Sequence, residues 1–304
     1  MEKEQILKDL EDLNIGKILI DEPMKNHTTF EVGGPADIFI EPKDEEALIK
    51  LMAYLREKSI DHFILGQGSN LLVTDKGIRG VVIKIHGCLT DLYLEDERTI
   101  YSGAGITVPR LAKFAQDNTL TGLEKISGIP GDVGGGVFMN AGAYGSEFKD
   151  VVKEVKVLTI ENKVELIKNE DMEFSYRQSL VKKKGYIVLG ASFSLEKGIQ
   201  EEIDAMVSDY TARRRNKQPL EWPSAGSTFK RPEGYYAGAL IEEAGLKGLI
   251  HRGAMVSDKH SGFVINHDHA TYKDIIELIK LIQLEVYNKS GVKLEREVKI
   301  VGEK

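Results

Sequence analysis

Seven glycines lie in the segment from residue 128 to residue 145, where Pro130, Val133 and Phe138 are interleaved with them. Glycine loses more conformational freedom on folding than any other residue, and it leaves a helix or strand without a side chain to pack. Flexible linkers combine glycine with serine and charged residues, which are scarce in this run. We therefore expect an ordered backbone surface that lies against a flat or phosphorylated ligand, with a purely structural loop as the alternative.

Two further glycine turns precede this run, at residues 66–70 and 103–105. Neither matches the dinucleotide motif Gly-x-Gly-x-x-Gly, because Leu71 and Val108 occupy the place of the third glycine. A phosphate-binding Gly-x-x-x-x-Gly-Lys-Ser/Thr sequence is also absent. The sequence therefore favours several converging loops, whose backbone N–H groups bind a pyrophosphate, over a single helix N-terminus.

Length and composition exclude several classes of protein. The 304 residues are enough for two or three domains, and the net charge of −7 argues against a nucleic-acid partner. Cys88 is the only cysteine, so neither a disulfide nor a cysteine-based metal site is expected. The N-terminus lacks the apolar core of a signal peptide, and no stretch approaches the roughly 18 apolar residues of a membrane span. We expect a cytoplasmic protein without membrane insertion, metal or obligate protein partner.

The apolar periodicity predicts an α+β architecture. Helices are expected over residues 2–13, from Asp44 onward, around residues 109–115 with Pro109 near the first turn, over 199–217 and over 271–289. Strands are expected over 62–65, 71–73, 81–85, 99–102, 151–160, 163–168, 186–195, 262–266 and 297–301, with Glu161 and Asn162 as a hairpin turn. The last helix carries one apolar stripe of Ile275, Leu278, Ile279, Ile282 and Val286, which predicts a side that faces a core.

Seven motifs follow one another in the order of a known family. They are Asn26–Phe30 with Gly33–Ala36, Gly66–Val73, Leu123–Glu124 with Gly128–Gly131, Met139–Gly145, Ser175–Ser179, Ala225–Pro232 and Leu294–Val298. Together they make nearly the whole chain resemble the UDP-N-acetylenolpyruvoylglucosamine reductases, flavoenzymes of bacterial cell-wall synthesis.

The resemblance implies a fold and a reaction. It implies a two-lobed FAD-binding unit of the vanillyl-alcohol-oxidase type in residues 1–85 and 86–198, and a C-terminal α+β substrate-binding domain in residues 199–304. It also implies non-covalent FAD, NADPH as the reducing co-substrate, and reduction of an enolpyruvyl ether of a UDP-sugar to UDP-N-acetylmuramate. The chain is similar to the short class without the extra loop whose tyrosine covers the substrate.

Three residues match the family's catalytic positions. Ser227 matches the proton donor, Arg177 the catalytic arginine and Glu297 the catalytic glutamate. An arginine can hold a carboxylate in a fork, and a glutamate that carries a proton can help an enolate. Each also has a structural alternative: Ser227 as a turn cap, Arg177 as a surface residue paired with Glu173 or Asp171, and Glu297 as a solvated strand charge.

Ligand-binding residues follow by position in the same motifs. The cofactor is expected at Gly66, Gly68, Ser69, Asn70, Gly103, Gly105, Ile129, Gly131, Gly134, Gly136, Asn140 and Gly142. The substrate is expected at Tyr176, Arg214, Lys217, Lys230 and His260. The basic cluster around Arg214 is equally explained as a solvated helix end, and Arg231 stands where some relatives carry a substrate-binding asparagine.

Two other functions stay open from the sequence alone. One is an oxidase of the same fold that passes electrons to oxygen, and the other is a nucleotide-binding module without catalysis. Ser227 and Glu297 as a pair of acids beside the flavin would argue against the oxidase. His86 and Cys88 lie in the FAD-binding half, but the resemblance implies that FAD is not covalently attached.

Overall fold

The computed structural model describes residues 3–303 as eight α-helices and eighteen strands. The helices are α1 Lys3–Asp12, α2 Glu45–Glu57, α3 Val108–Asp117, α4 Val133–Met139, α5 Leu180–Lys184, α6 Gln200–Lys217, α7 Ala237–Glu243 and α8 Tyr272–Ser290. The strands are β1 Gly16–Pro23, β2 Pro35–Pro42, β3 His62–Leu65, β4 Leu71–Val73, β5 Ile78–Lys84, β6 Leu92–Leu94, β7 Thr99–Gly103, β8 Leu120–Thr121, β9 Gly142–Ala143, β10 Ser146–Glu147, β11 Val152–Leu158, β12 Val164–Lys168, β13 Ile187–Ser194, β14 Glu196–Lys197, β15 Ile250–His251, β16 Ala254–Val256, β17 Val264–Asn266 and β18 Lys299–Val301. Short 3₁₀ turns cover Met24–His27, Phe148–Asp150 and Asn169–Asp171.

Side-chain caps explain where several predicted helices begin. Asp44 accepts a hydrogen bond from the Ala47 N–H at the start of α2, and Thr107 accepts one from Arg110 at the start of α3. Thr271 and Asp274 form a reciprocal capping box on α8, which ends at Gly291 with a φ of 72°. The helices predicted at these three places are confirmed. They could be predicted because each cap and its hydrogen-bond partner are only three residues apart.

The chain forms two compact units, each built from separate stretches of sequence. Unit 1 comprises the residues up to Leu19, Phe39–Gly66 and Val82–Arg213, and unit 2 comprises Ile20–Ile38, Gln67–Val81 and the residues from Arg214 onward. Strands β1, β2 and β5 each contain a point where the chain passes between the units. These units differ from the three predicted domains, which are consecutive ranges of sequence. The predicted domain boundaries at residues 85 and 198 stay a prediction.

Unit 1 contains a five-stranded antiparallel sheet in the order β12-β11-β13-β7-β6. The predicted hairpin between β11 and β12 is confirmed: Leu158 pairs with Val164, and Asn162 adopts a φ of 59° in the turn. Asparagine tolerates this left-handed conformation better than most residues, which explains the turn without glycine. Helix α6 also forms as predicted, but Ile203 is its only buried residue.

Unit 2 is organised around α8. The predicted stripe of Ile275, Leu278, Ile279, Ile282 and Val286 is completely buried, which confirms that this side of the helix faces a core. The core also contains Phe30, Leu72, Phe229 and Ile241, together with residues of the sheet β15-β16-β17. Strand β18 pairs in parallel with β4, from Lys299 opposite Leu71 to Val301 opposite Val73.

The glycine run is the main local difference from expectation. Residues 133–139 form helix α4, whereas the sequence predicted non-helical backbone. Three glycines in seven residues oppose a helix, so tertiary contacts must hold it. Strands β1 and β2 and helices α5 and α7 were not predicted. Within residues 3–303, none of the helices is both long enough and apolar enough to span a bilayer.

Candidate functional site

Two of the predicted glycine segments are joined by backbone hydrogen bonds in unit 1. The Val133 N–H donates to the Ile106 carbonyl at 2.8 Å, and the Gly134 N–H donates to the Ala104 carbonyl at 2.9 Å. In return, the Val108 N–H donates to the Gly131 carbonyl at 3.0 Å. The convergence predicted for segments 103–105 and 128–136 is therefore present.

Asp132 also lies beside Gly66, the residue of the third glycine segment that belongs to unit 1. A Cβ atom built on Gly66 would lie 2.9 Å from Asp132 Oδ2. The other carboxylate oxygen, Oδ1, lies 2.9 Å from Nδ1 of His86, and only 2% of the Asp132 side chain is exposed. Sequence reasoning missed this pair, although an aspartate inside a glycine run was an available signal.

Most of the glycines in unit 1 are explained by close packing against the protein itself. A Cβ atom would lie 2.3 Å from Leu89 O at Gly103, 2.5 Å from Ile85 O at Gly105, 3.0 Å from Ala104 Cβ at Gly134 and 2.3 Å from Phe148 Cζ at Gly136. The N–H groups of these four glycines all donate to backbone carbonyls within unit 1. These N–H groups are therefore already occupied, and the four glycines can contact a ligand only through their other backbone atoms.

Gly135 is different from its neighbours in α4. It is exposed, and a Cβ atom built on it would meet nothing within 4 Å. It therefore presents bare helical backbone to open space, which is the property that the glycine run was expected to provide. Gly135 was not among the predicted cofactor residues, because only the structure distinguishes it from Gly134 and Gly136.

The remaining predicted cofactor residues have varied environments. In unit 2, Gly68 adopts a φ of 67° against the His27 carbonyl, while Ser69 and Asn70 are half-buried. In unit 1, Gly142 pairs with Glu147 in a short hairpin, and Ile129 is half-buried. Asn140 is completely buried and ends α4 in a left-handed conformation.

Arg177 lies at the tip of a tight turn in unit 1. Ser175 and Gln178 exchange two backbone hydrogen bonds of 3.1 Å, and Arg177 between them adopts a φ of 57°. Its guanidinium carbon lies 4.8 Å from the centre of the exposed Tyr176 ring, within the range of a cation–π contact. Glu173, one of the partners considered for Arg177, is bound by Lys183 at 2.6 Å.

Ser227 and Glu297 are linked within unit 2 through Thr228, the residue that follows Ser227. The Glu297 N–H donates to the Thr228 carbonyl at 2.9 Å. The next residue, Phe229, forms an isolated antiparallel β-bridge with Arg296. Ser227 is exposed and follows Gly226, which has a φ of 71° and open space at its Cβ position. Within residues 3–303 the Ser227 hydroxyl makes no hydrogen bond, so it does not act as a turn cap. Glu297 is half-buried and is not a fully solvated strand charge.

The Ser227 loop is held by polar residues that sequence reasoning did not single out. The Thr228 hydroxyl accepts a 2.9 Å hydrogen bond from the Val264 N–H. The Thr29 hydroxyl donates to the Ser224 carbonyl at 2.6 Å, while the Thr29 N–H donates to the Gly68 carbonyl at 3.4 Å. Thr29 thus links a predicted cofactor loop to the loop of the predicted proton donor, both within unit 2.

The predicted substrate residues outside the Arg177 turn have different surroundings. Arg214 donates from Nε to Gln218 at 2.9 Å, Lys217 is exposed, and Lys230 pairs with Glu295 at 2.7 Å. Arg231, the residue that departs from some relatives, lies 4.2 Å above the Tyr236 ring. The cations of this region lie at the surface of unit 2, where they can reach an anionic ligand.

His260 is held as a neutral ring. Burial lowers its pKa below the usual value, although a backbone hydrogen bond and the Glu242 charge act in the opposite direction. Its Nδ1 accepts a 3.1 Å hydrogen bond from the Gly262 N–H, so the ring proton belongs on Nε2. Only that Nε2–H is left for a ligand.

Comparisons with known proteins identify the family. A family model described as UDP-N-acetylenolpyruvoylglucosamine reductase, C-terminal domain, matches residues 218–301, and one described as FAD binding domain matches residues 36–165. A UDP-N-acetylenolpyruvoylglucosamine reductase from Caldanaerobacter subterraneus subsp. tengcongensis is 53% identical over 97% of both chains. The chain belongs to the UDP-N-acetylenolpyruvoylglucosamine reductase family.

Other members of the reductase family are similar to this chain in sequence and in structure. The reductase from Clostridioides difficile is 51% identical over 94% of both chains. A crystal structure of the reductase from Thermus caldophilus aligns with a TM-score of 0.80 and 33% identity, and covers 94% of this chain and 98% of that one. The predicted family and the α+β fold with an FAD-binding part and a C-terminal domain are confirmed. The protein is an FAD-dependent oxidoreductase of the reductase family.

The residues of unit 1 fit an FAD pyrophosphate and ring. Gly135 offers bare backbone, and the only carboxylate among the converging glycine segments, that of Asp132, is buried against His86 rather than turned outward. An outward carboxylate would repel a pyrophosphate, so its burial favours the anion. Glu124, just before the run, is 6% exposed; Oε2 accepts from the Gly122 N–H, and Oε1 has no hydrogen-bond partner within residues 3–303.

Two chemistries other than flavin chemistry receive no support from the described residues. Within residues 3–303, no group of three or more His, Cys, Asp or Glu side chains is arranged to hold a metal ion. Burial raises the pKa of the Cys88 thiol to about 11. A thiol with such a pKa is protonated at neutral pH and is a poor nucleophile.

Proposed function

We propose that this member of the reductase family reduces the enolpyruvyl ether of UDP-N-acetylglucosamine to UDP-N-acetylmuramate with NADPH, in the synthesis of peptidoglycan precursors. The observation that carries the proposal is the hydrogen bond from the Glu297 N–H to the carbonyl of Thr228, the residue after Ser227, together with the exposure of Ser227. The high identity to relatives with this name over nearly the full chain supports the same substrate.

FAD, when bound, would supply the redox chemistry: hydride transfer from NADPH to the alkene carbon that is remote from the substrate's carboxylate. In unit 1, the residues that would hold FAD are Gly66 and the segments 103–105 and 128–136, with Gly135 as the bare backbone surface. In unit 2, Gly68, Ser69 and Asn70 are the residues that would contact it. The remaining work belongs to side chains that act on the charge left in the substrate.

Ser227 donates the proton that completes the addition. Arrival of a hydride at the remote carbon leaves an enolate, whose carbon next to the carboxylate must take up a proton. Serine is a weak acid, but the enolate carbon is a strong base, so transfer from the Ser227 hydroxyl is feasible. Because that hydroxyl makes no hydrogen bond within residues 3–303, it can turn toward a ligand.

Arg177 and Glu297 stabilise the charge that the enolate carries on its carboxylate oxygens. The guanidinium of Arg177 remains charged and can hold two oxygens in a fork. Glu297 helps only with a proton between its carboxyl oxygen and the substrate, because a bare carboxylate would repel the enolate. The cations Arg214, Lys217 and Lys230 bind the diphosphate of the substrate, and Tyr176 and His260 complete its site.

The proposal extends to organisation and location. The FAD-binding part comprises residues 1–85 and 86–198, and residues 199–304 bind the substrate. The cofactor is held non-covalently, and the protein acts without an obligate protein partner. We also propose that the protein acts in the cytoplasm.

The experiment separates the two half-reactions under anaerobic conditions. NADPH should bleach the flavin of the purified holoenzyme, and addition of the enolpyruvyl substrate should restore its absorbance. Restoration by oxygen but not by the enolpyruvyl substrate would reject the proposal in favour of an oxidase. A folded protein that takes up no flavin would reject both.

A further inference from the structure

The turn that carries Arg177 is fastened to the C-terminal end of α4 by two polar side chains. Asn140 and Ser179 are both completely buried. Asn140 ends α4, and Ser179 follows the turn and begins α5. Both residues and the turn belong to unit 1.

Asn140 uses its side-chain amide entirely within the protein. Its Nδ2 donates to the Ser175 carbonyl at 3.2 Å and to Glu147 Oε2 at 3.1 Å, and its Oδ1 accepts from the Lys149 N–H at 3.0 Å. An amide nitrogen has two N–H donors, and both are occupied. The side chain therefore has no donor left for the cofactor that the sequence assigned to it.

Ser179 makes the second attachment. Its hydroxyl donates to the Phe138 carbonyl at 2.7 Å, in the last turn of α4, where carbonyls lack an intrahelical partner. The same oxygen accepts from the Lys182 N–H at the start of α5, and the Lys182 ammonium donates to the Arg177 carbonyl at 2.7 Å. The turn is thus held on both sides of Arg177.

We propose that Asn140 and Ser179 are positioning residues for Arg177, and that Asn140 is not a ligand of the cofactor. The two side chains fix the Ser175–Gln178 turn to the helix that presents Gly135, so that the guanidinium has one position relative to that helix. This inference rests on the proposed role of Arg177 in the reaction. A displacement of a reacting group by about 1 Å can lower a rate roughly 100-fold, which gives the attachment its value.

Asn140→Asp is the sharpest test. Aspartate keeps the size, tolerates the φ of 43° and can still accept from Lys149, but it removes both donors. We expect FAD affinity of the apoprotein and flavin reduction by NADPH to change by less than about threefold, while reoxidation by the enolpyruvyl substrate slows by roughly 10- to 100-fold. Trypsin should also cleave after Arg177 faster, because a loosened turn is a better protease substrate.

Two further variants serve as controls, and a third is a second test. Asn118→Asp makes the same change at the C-terminal cap of α3, where the side chain donates only to Phe114, and it should leave cleavage after Arg177 and turnover unchanged. Glu147→Gln added to Asn140→Asp removes the new carboxylate repulsion but not the loss of the Ser175 bond, so the defect should persist. Ser179→Ala tests the second attachment if Asn140→Asp fails to fold, and it should also speed cleavage after Arg177.

Two outcomes would overturn the inference. A large loss of FAD affinity in Asn140→Asp would make Asn140 a cofactor residue, as the sequence suggested. Unchanged cleavage and reoxidation in both Asn140→Asp and Ser179→Ala would show that the turn does not need its attachments. In an Arg177→Lys background, Asn140→Asp should slow reoxidation little further, since both changes disturb one group. If Arg177→Lys alone leaves turnover intact, the proposed role of Arg177 fails, whereas the cleavage rates still test the attachment.

Discussion

Gly66 and Asp132 touch so closely that a single added carbon on Gly66 would lie 2.9 Å from Asp132 Oδ2. The two residues belong to different glycine segments, one after β3 and the other before α4. Asp132 is also bound by His86, which follows β5. This contact joins three segments of unit 1 around one buried carboxylate, so the cofactor loops depend on one another.

Gly66→Ala should therefore weaken FAD binding. The new methyl group would push the Asp132 carboxylate away from His86, or would displace the 66–70 loop, and overpacking of this kind costs about 1–3 kcal/mol. We expect a lower FAD affinity of the apoprotein, measured by quenching of flavin fluorescence on binding. An FAD affinity equal to that of the wild type would speak against the contact between Gly66 and Asp132 as a constraint on the cofactor loops.

Gly135 and Gly136 give opposite predictions although they are neighbours. Gly135→Ala should raise the free energy of unfolding of the apoprotein by about 0.5–1 kcal/mol, because alanine favours a helix and the space is open. It should nevertheless lower FAD affinity, because the methyl group would stand between the backbone and the ligand. Denaturant unfolding and flavin titration measure the two effects. Unchanged FAD affinity would refute the placement of the cofactor against Gly135.

Gly136→Ala should destabilise the protein by about 1–3 kcal/mol, because its Cβ would lie 2.3 Å from the Phe148 ring. The loss should appear in the apoprotein, since the clash does not involve the cofactor. A stability equal to that of the wild type in denaturant unfolding would contradict the packing of α4 against Phe148.

Ser227→Ala should separate the two half-reactions. Flavin reduction by NADPH should survive, while steady-state turnover of the enolpyruvyl substrate should fall by roughly 10²- to 10⁴-fold, the usual range for a lost general acid. Stopped-flow absorbance of the flavin measures both steps. Ser224→Ala removes a hydroxyl from the same loop while keeping its backbone bonds to Thr29, and it serves as the control. Equal loss of both half-reactions would indicate a structural role for Ser227.

His260→Gln should reduce the pH dependence of stability. Burial lowers the pKa of His260 in the folded protein, so the unfolded chain binds a proton more readily. The wild type therefore loses stability as pH falls below the unfolded value of 6.5, and this continues until the folded pKa is passed. Urea unfolding between about pH 8 and pH 5 should show a smaller loss for the variant. If the free energies of unfolding of the wild type and the variant change in parallel with pH, His260 does not contribute to the pH dependence of stability.

Local signals in the sequence were enough for most helices and for the family. Asp44, Thr107 and Thr271 cap their helices through hydrogen bonds that span three residues, so neighbours in sequence encode them. The buried stripe of α8 follows from apolar residues spaced three or four positions apart in the sequence. The ordered motifs identified the reductase family and FAD because each motif is a contiguous stretch.

The sequence by itself determined the helix caps, the core-facing side of α8, the Asn162 turn and the family with its flavin chemistry. The tertiary structure alone decided that residues 133–139 of the glycine run form a helix, that Gly135 is open while Gly136 is packed, and that the Asn140 side chain binds the Ser175 carbonyl in the Arg177 turn. Those features depend on Phe148, Ala104, Ser175 and Lys149, whose proximity comes from the folded chain. The sequence shows only that a residue is glycine. Whether the missing side chain makes room for a ligand or for another part of the protein depends on the neighbouring atoms, which only the folded structure shows.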